Sequence, residues 1–293
     1  MRKKKGQRDG GTKGQRVEGP ESSDRHGQLD RHDLYEACVQ SPGDLVGMIG
    51  GMHGGVRGEG RGGTCRVLGE DFAGTAALSH AWAASDARRR AIAIDLDAEA
   101  LSRHGEHARV RKLAADVHRV RLDDSLRCDA IFVGNFSIGY MHERRDLVRY
   151  LRRCARRLKR GGIFVCDTYG GASTFTTGHV QREHRLPDGR RVIYTWEQRE
   201  ADPISGRVRN AMHFQVDRDG DVEAIFADAF VYEWRVWSIP ELADAMEDAG
   251  FRALEVYDKV PSAVDGDGRV YMAPVEDGAD LDESFITCVC GRV

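Results

Sequence analysis

The sequence predicts an α/β fold: a seven-stranded, mostly parallel sheet with helices on both faces, plus an antiparallel β meander inserted after the fifth strand. Three observations predict it. From residue 65 onward, short apolar runs alternate with amphipathic runs, the order that builds parallel strands joined by crossover helices. Between residues 190 and 234 the hydrophobic period drops to two, with turn-forming stretches separating the runs. After residue 238 a helix signal and two more strand signals return. The chain has 293 residues, 41% hydrophobic and 31% charged, enough for one sizeable core with or without a smaller appendage.

Residues 1–28 contain only Met1 and Val17 as larger apolar side chains, and a disordered tail is expected there. Its Lys3, Lys4 and Lys5 cluster offers a contact to nucleic acid, but a solvated tail is the expected reading. The globular pattern starts at residue 29, with "DRHDLYEACVQ" and "GDLVGMIGGMHGG" predicted as two short helices before the Gly-rich loop "GGVRGEGRGGT". "CRVLGE" is a strand followed by the helix "GTAALSHAWAAS"; "RAIAID" is a strand followed by the helix "DAEALSRHGEHA". "RVRKLAAD" and "CDAIFVGN" are the third and fourth strands. The helix over 143–160 places Leu147, Leu151, Cys154 and Leu158 at helical spacing, and Gly161 and Gly162 are expected to stop it before the strand "IFVCDTY".

The meander covers residues 179–236, with "RRVIYTWEQRE", "GRVRNAMHFQV" and "VEAIFADAFVYEW" as its strands and "LPDG", "ADPISG" and "DRDGD" as turns. Tyr194 and Trp196 share one strand face, as do Phe230, Tyr232 and Trp234. These aromatics fit either a wall of a substrate pocket or the packing face of a lid or dimer contact. "SIPELADAMEDAGF" is a helix with Ser238 as N-cap, Pro240 in the first turn and Gly250 at the end. "RALEVYD" and "FITCVCG" complete the seven strands, residues 29–293 forming the main domain.

Composition limits the function classes. The 44 basic and 47 acidic residues provide no whole-molecule field for nucleic acid or an anionic membrane. Seven cysteines without a C-x-x-C pair read as buried free thiols in a reducing compartment. No apolar run reaches the ~20 residues of a membrane span, and no signal-peptide pattern opens the chain. A soluble cytoplasmic protein, monomer or homodimer, is expected. The histidine pair His104 and His107 falls at i and i+3 on a predicted helix and reads as exposed, and no metal site is expected. Cys288 and Cys290 read as a buried pair on one strand face.

The chemistry is carried by the turn "LGEDFAGTA". Gly69 and Gly74 keep the glycine spacing of a phosphate loop, but Thr75-Ala76 replaces its Lys-Ser/Thr, and Glu70 and Asp71 would repel phosphate. The dinucleotide pattern G-x-G-x-x-G is absent too. A nucleoside with a positive charge and no phosphate suits such a turn, and S-adenosylmethionine is that ligand. Asp95 closes the second strand 21 residues after Gly74, where an acidic side chain meets ribose hydroxyls. Asp116 closes the third strand within reach of an adenine amino group.

On these residues the chain resembles the class I S-adenosylmethionine-dependent methyltransferases, over about residues 62–293. The family's turn V-L-D-L-G-C-G-T-G matches Leu68 to Ala76, with Glu70 at the acidic position, Phe72 replacing the first glycine and Ala76 the last. Together with "AIDLDAEAL", "NFS" and "EWRVWSIPEL", the variant E-D-F-x-G-T looks like a bacterial branch of small-molecule methyltransferases. The resemblance implies a Rossmann-like fold and a donor site made by Glu70, Phe72, Gly74, Thr75, Asp95, Leu96, Asp116, Val117 and Asn135. Asn135, Tyr140 and Tyr169, beyond the fourth and fifth strands, are the candidate catalytic residues, with Ser137, His142 and Asp167 nearby. Tyr194, Trp196, Tyr232 and Trp234 are the candidate substrate pocket. A small-molecule acceptor is the main reading. The alternatives are a nucleic-acid (RNA) methyltransferase, suggested by Arg145, Arg149, Arg152, Arg153, Arg156 and Arg157, a non-catalytic nucleoside binder, and an NAD-dependent oxidoreductase.

Overall fold

Strand ends bring the ligand-facing residues together, so the order of strands decides the site. The computed structural model describes residues 29–54 and 64–293; the expected tail and most of the Gly-rich loop lie outside them. Arg31–Val293 form one compact unit. It opens with α1 (Arg31–Val39) and α2 (Pro42–Gly54), followed by β1 (Val67–Asp71), α3 (Ala77–Ser85), β2 (Arg90–Asp95), α4 (Ala98–Ser102), β3 (Val110–Ala114) and β4 (Cys128–Val133). Next come α5 (Arg144–Arg157) and β5 (Leu158–Gly171), the meander strands β6 (Gly178–Arg185), β7 (Arg191–Asp202), β8 (Arg207–Arg218) and β9 (Asp221–Arg235), and then α6 (Ile239–Ala249) and β10 (Arg252–Asp258). A two-stranded hairpin, β11 (Ala263–Val264) and β12 (Val270–Tyr271), precedes β13 (Ser284–Arg292).

The main sheet has seven strands in the order β10-β13-β5-β4-β1-β2-β3. β13 runs antiparallel to both neighbours, while β1 through β5 pair in parallel. Side-chain alternation divides the core between the two faces. Ile131, Val133, Phe164, Cys166 and Val289 point toward α5 and α6, where Leu147, Tyr150, Leu151, Leu242 and Met246 meet them. Ala130, Phe132, Ile163, Val165, Cys288 and Cys290 point to the other face, covered by Met48, Ile49 and Met52 of α2 and Leu78 and Trp82 of α3. Each such buried Leu, Ile or Phe contributes about 1.5–3 kcal/mol. Cys288 and Cys290 thus share a buried face as expected, and six of the seven free thiols are buried; Cys38 on α1 is only half-buried.

Several expectations are corrected here. The second crossover helix stops at Ser102, so His104 and His107 lie in a loop: Lys112 donates to the His104 carbonyl and His107 bridges to Val110, holding the chain in an extended return. Helix α5 ends at Arg157, ahead of the two glycines. Its C-cap Leu158 is already extended, and the Lys159 ammonium is drawn to Asp129 at 2.8 Å, aligning that segment with β4. Gly161, at φ 77°, instead lets the strand approach the chain's last residue, with its N–H donating to the Val293 carbonyl. The meander has four strands, the extra one being β6. Its eight residues, GHVQREHR, are nearly all exposed, so no period-two burial marks them. Helix α6 follows the capping prediction: Ser238 and Glu241 form a capping box and Gly250 ends the helix at φ 98°.

Candidate functional site

A cavity of about 830 Å³ lies beyond the carboxyl ends of β1 to β4. The glycine turn forms its floor. Phe72, Gly74 and Ala76 all adopt left-handed φ, at 59°, 53° and 62°. Phe72 and Ala76, standing where the resembling motif has glycine, thus keep a glycine-like backbone, at on the order of 1 kcal/mol of strain each. Packing offsets that strain: Ala76 is fully buried with Ala73, Ala93 and Leu101, and the Phe72 ring stacks on Tyr140 at 5.9 Å. Ala73 N–H donates to the Ile94 carbonyl and Gly74 N–H to Asp95 Oδ2 at 2.7 Å, which ties the turn to β2. A Cβ at Gly74 would meet no protein atom within 4 Å, so the glycine leaves pocket space open.

The two acids of the turn have different tasks. Glu70 faces the cavity and accepts from Ser79 N–H and Oγ on one oxygen, Oε2. Burial pushes its carboxyl up to about 7, against the lowering effect of the two Ser79 bonds. Asp71 is fully buried and receives Arg157 Nη1 on both oxygens, at 2.8 and 2.7 Å, and the Tyr150 hydroxyl at 2.7 Å. This buried pair supports the turn from beneath.

Asp95, Leu96, Asp116 and Val117 line the same cavity, as do Phe72, Thr75, Asn135 and Tyr140. The turns after β2 and β3 are built alike: Asp95 Oδ1 accepts from Asp97 N–H and Asp116 Oδ1 from His118 N–H, both at 2.8 Å. Leu96 is 74% exposed, an apolar side chain held open over the cavity. Asn135 and Phe136 follow β4 in left-handed conformation, φ 54° and 60°, and their N–H groups both donate to the buried Asp167 carboxylate, at 3.0 and 2.7 Å. Lys259, after β10, completes that carboxylate at 2.7 Å and itself lines the cavity. Burial works against its charge, but Asp167 outweighs it and the ammonium's pKa is raised.

The pocket expectation for the meander is corrected in part. Tyr232 lines the cavity, but Tyr194, Trp196 and Trp234 do not. Tyr194 stacks on Phe214 at 5.6 Å, and Trp196 and Trp234 stack beside Tyr232, making a packed aromatic face behind the one ring that reaches the pocket. Tyr169 is also behind the lining, its hydroxyl donating to Gln198 Oε1 at 3.3 Å. Gly139 sits under this layer, where a Cβ would come within 2.8 Å of Trp234 Cβ. His142 is tied to the Glu233 carbonyl at 2.9 Å, outside the cavity. His213 lies on the other face of the meander and pairs with Glu197 at 3.1 Å.

Residues that sequence reasoning missed come from the N-terminal helices. His32, Tyr35, Gln40, Ser41 and Asp44 close the cavity from α1, α2 and the two residues between them, and Phe230 of β9 packs edge-on to Tyr35 at 5.1 Å. Short helices of low amphipathicity carry no signal of such a role. Three buried polar atoms on the cavity wall, Gln40 Oε1, Thr75 Oγ1 and His118 Nδ1, have no protein partner. Orphaned polar atoms of this kind fit a ligand rich in hydrogen-bonding groups. Burial raises the pKa of Tyr35, Tyr140 and Tyr232, which keeps the three phenols neutral donors at physiological pH. Among the described residues no group of three His, Cys, Asp or Glu side chains is arranged to hold a metal ion, and no helix is long and apolar enough to cross a membrane.

Residues 71–166 match the family model described as a methyltransferase domain. A crystal structure of an S-adenosylmethionine-dependent methyltransferase from Clostridium acetobutylicum superposes with a TM-score of 0.61 at 17% identity, covering 89% of this chain and 96% of that one. This chain shares the fold of that methyltransferase. The sugar N-methyltransferase KedS8 from Streptoalloteichus (TM-score 0.59, 19% identity, 95% of this chain and 99% of that one) shares the fold. So does CalS10, an amino pentose methyltransferase from Micromonospora echinaspora described with S-adenosylmethionine bound (0.61, 16%, 93% and 100%). A sequence comparison with curated proteins finds no match. In this methyltransferase fold the E-D-F-x-G-T turn keeps the left-handed path that glycines would otherwise supply.

Proposed function

We propose that this chain is a methyltransferase that moves a methyl group from S-adenosylmethionine to a small-molecule acceptor by in-line displacement. One observation carries the reading: Glu70, Asp95 and Asp116 stand at successive strand ends around a left-handed turn, in a cavity whose orphaned Thr75 Oγ1 and His118 Nδ1 call for a polar ligand. When bound, the donor supplies a methyl carbon activated by a sulfonium. The residues of this chain do the rest. Glu70 offers a carboxylate to a cationic group, Asp95 and Asp116 offer oxygens to hydroxyl and amino donors, and Leu96 and Val117 cover apolar surface. Asn135 and Tyr140 stand where donor and acceptor meet. Alignment and exclusion of water supply much of the acceleration for such a displacement.

The acceptor atom we assign is an amine nitrogen. An amine needs no base for the displacement itself and sheds its proton afterwards, whereas the neutral tyrosines of the wall cannot take a proton from an alcohol. Two proteins of similar fold, a sugar N-methyltransferase and an amino pentose methyltransferase, support the same choice. The meander, residues 179–236, acts as the substrate-selecting wall through Tyr232 and Phe230. The free thiols support a cytoplasmic setting.

Nothing favours nucleic acid. Arg157 is buried on Asp71, Arg153 donates to the Val117 and Val120 carbonyls, and Arg149 pairs with Asp146, so these three arginines of α5 are engaged by the protein itself. Calorimetric titration with S-adenosylhomocysteine, with NADH and ATP in parallel, tests the reading. Binding of S-adenosylhomocysteine alone is expected; binding of NADH or ATP in its place overturns it.

A further inference from the structure

The carboxyl edge of the main sheet is electrically lopsided. Asp116, Asp95 and Glu70 stand at the ends of β3, β2 and β1, Asp97 follows β2, and Asp44 of α2 also lines the cavity. Beyond β4 the sign changes: Lys259, after β10, is the only lysine or arginine among the described residues of the cavity wall. Its ammonium is held at 2.7 Å by Asp167 Oδ2 and lies 5.6 Å from the centre of the Phe136 ring. Asp167 is already met by the Asn135 and Phe136 N–H groups. It therefore anchors the lysine without needing all three of its N–H donors, and the ammonium faces the pocket as a fixed cation.

We infer that Lys259 recognises a carboxylate on the acceptor, so that the substrate is a small amine that also carries a carboxylate. This rests on the methyl-transfer reading above. The donor, a nucleoside cation, belongs with the acidic strand ends. The cationic end is then left to the acceptor, across Asn135 and Tyr140. Rings also shape this end: Tyr140, Tyr232, Phe230 and Tyr35 wall it, so the body joining amine to carboxylate packs on aromatic faces. A carboxylate suits the site better than a phosphate. A dianion would share one ammonium with Asp167 while facing the other acids of the pocket, and phosphate sites draw on arginine forks or several backbone N–H groups.

The donor has a carboxylate of its own, and the test separates the two sources. With wild-type protein saturated in S-adenosylhomocysteine, the affinities of 4-(aminomethyl)benzoate and 4-(aminomethyl)benzamide are compared by ligand-observed NMR. The carboxylate is expected to bind on the order of 10-fold tighter, as a charge-assisted hydrogen bond allows. Lys259→Met should abolish that preference and Lys259→Arg should retain most of it, with S-adenosylhomocysteine affinity unchanged in both. Equal binding of the two probes to wild type, or binding of neither, overturns the inference. So does a Lys259→Met variant that loses affinity for S-adenosylhomocysteine but not for 5′-methylthioadenosine, because the lysine would then serve the donor. Wild type that fails to bind S-adenosylhomocysteine defeats the methyl-transfer reading itself, a separate result from loss of carboxylate preference.

Discussion

The two halves of the sheet's carboxyl edge are held by different kinds of contact. On the β2 and β3 side, each carboxylate accepts from a neighbour two residues away, Asp95 from the Asp97 N–H and Asp116 from the His118 N–H, and Asp95 takes one further bond, from the Gly74 N–H of the adjacent turn. On the β4 and β5 side, Asp167 gathers Asn135, Phe136 and Lys259 from 32, 31 and 92 residues away. Local bonds of the first kind form wherever strand, acid and turn follow one another in the chain. The second kind exists only after the sheet, the crossover α5 and the C-terminal strands have assembled. The side we assign to the donor is thus written largely as a motif, and the side we assign to the acceptor as a tertiary junction.

The sharpest way to break this contrast is at Arg157, where the donor side depends on a distant partner after all. Arg157→Met leaves Asp71 fully buried without its cation and should cost about 3–5 kcal/mol in denaturant unfolding. A loss below about 1 kcal/mol would show that the turn needs no support from α5. Next in size is Asp167→Asn, which removes the charge from a junction of three donors. A destabilisation of about 1.5–3 kcal/mol is expected, with methyl transfer falling more than S-adenosylhomocysteine affinity. The reverse order would place Asp167 on the donor side and erase the contrast.

Asp95→Ala sharpens it from the other side. The substitution removes both the ribose contact we propose and the bond to Gly74 N–H, so S-adenosylhomocysteine affinity should fall at least ~10-fold while stability falls by about 1 kcal/mol. Unchanged affinity by calorimetry would remove Asp95 from the ribose. The most gradual effect is in the pH dependence of Glu70, whose carboxyl is raised to about 7 by burial. A raised acid favours the folded state when protonated. Its contribution is therefore complete below about 4.5 and is lost as pH rises toward 7. The slope is at most about 1.4 kcal/mol per pH unit. S-adenosylhomocysteine, with its ammonium group, should bind more tightly as pH passes through 7. Glu70→Gln should flatten both curves; if the slopes persist, another group is responsible.

Much of the architecture was legible because it follows periodicity. The seven core strands, the N-cap at Ser238 and the apolar stripe of α5 all came from spacing and residue type. β6 escaped because an exposed edge strand has no buried face to impose a period of two. The end of α4 escaped because Lys112 reaches back to the His104 carbonyl, a contact that no helical signal encodes. The candidate donor residues could be named individually, since each sits in its own strand-to-turn segment. The meander rings could be assigned to a face but not to a pocket. Tyr232 reaches the cavity while Trp196 and Trp234 stack behind it, and that sorting depends on where α1 and the Ser137–Tyr140 turn press against the sheet.

By itself the sequence determined what short-range physics controls: alternating strands and helices, an acidic turn hostile to phosphate, and acids at three successive strand ends. The tertiary structure alone decided that α1 and α2 close the cavity, that Phe72 and Ala76 can stand in a left-handed turn because packing offsets their strain, and that Lys259 reaches the cavity wall on Asp167. Each of these depends on contacts between segments far apart in the chain. Their free energy appears only when the whole core is assembled, so no local pattern of residues reports it.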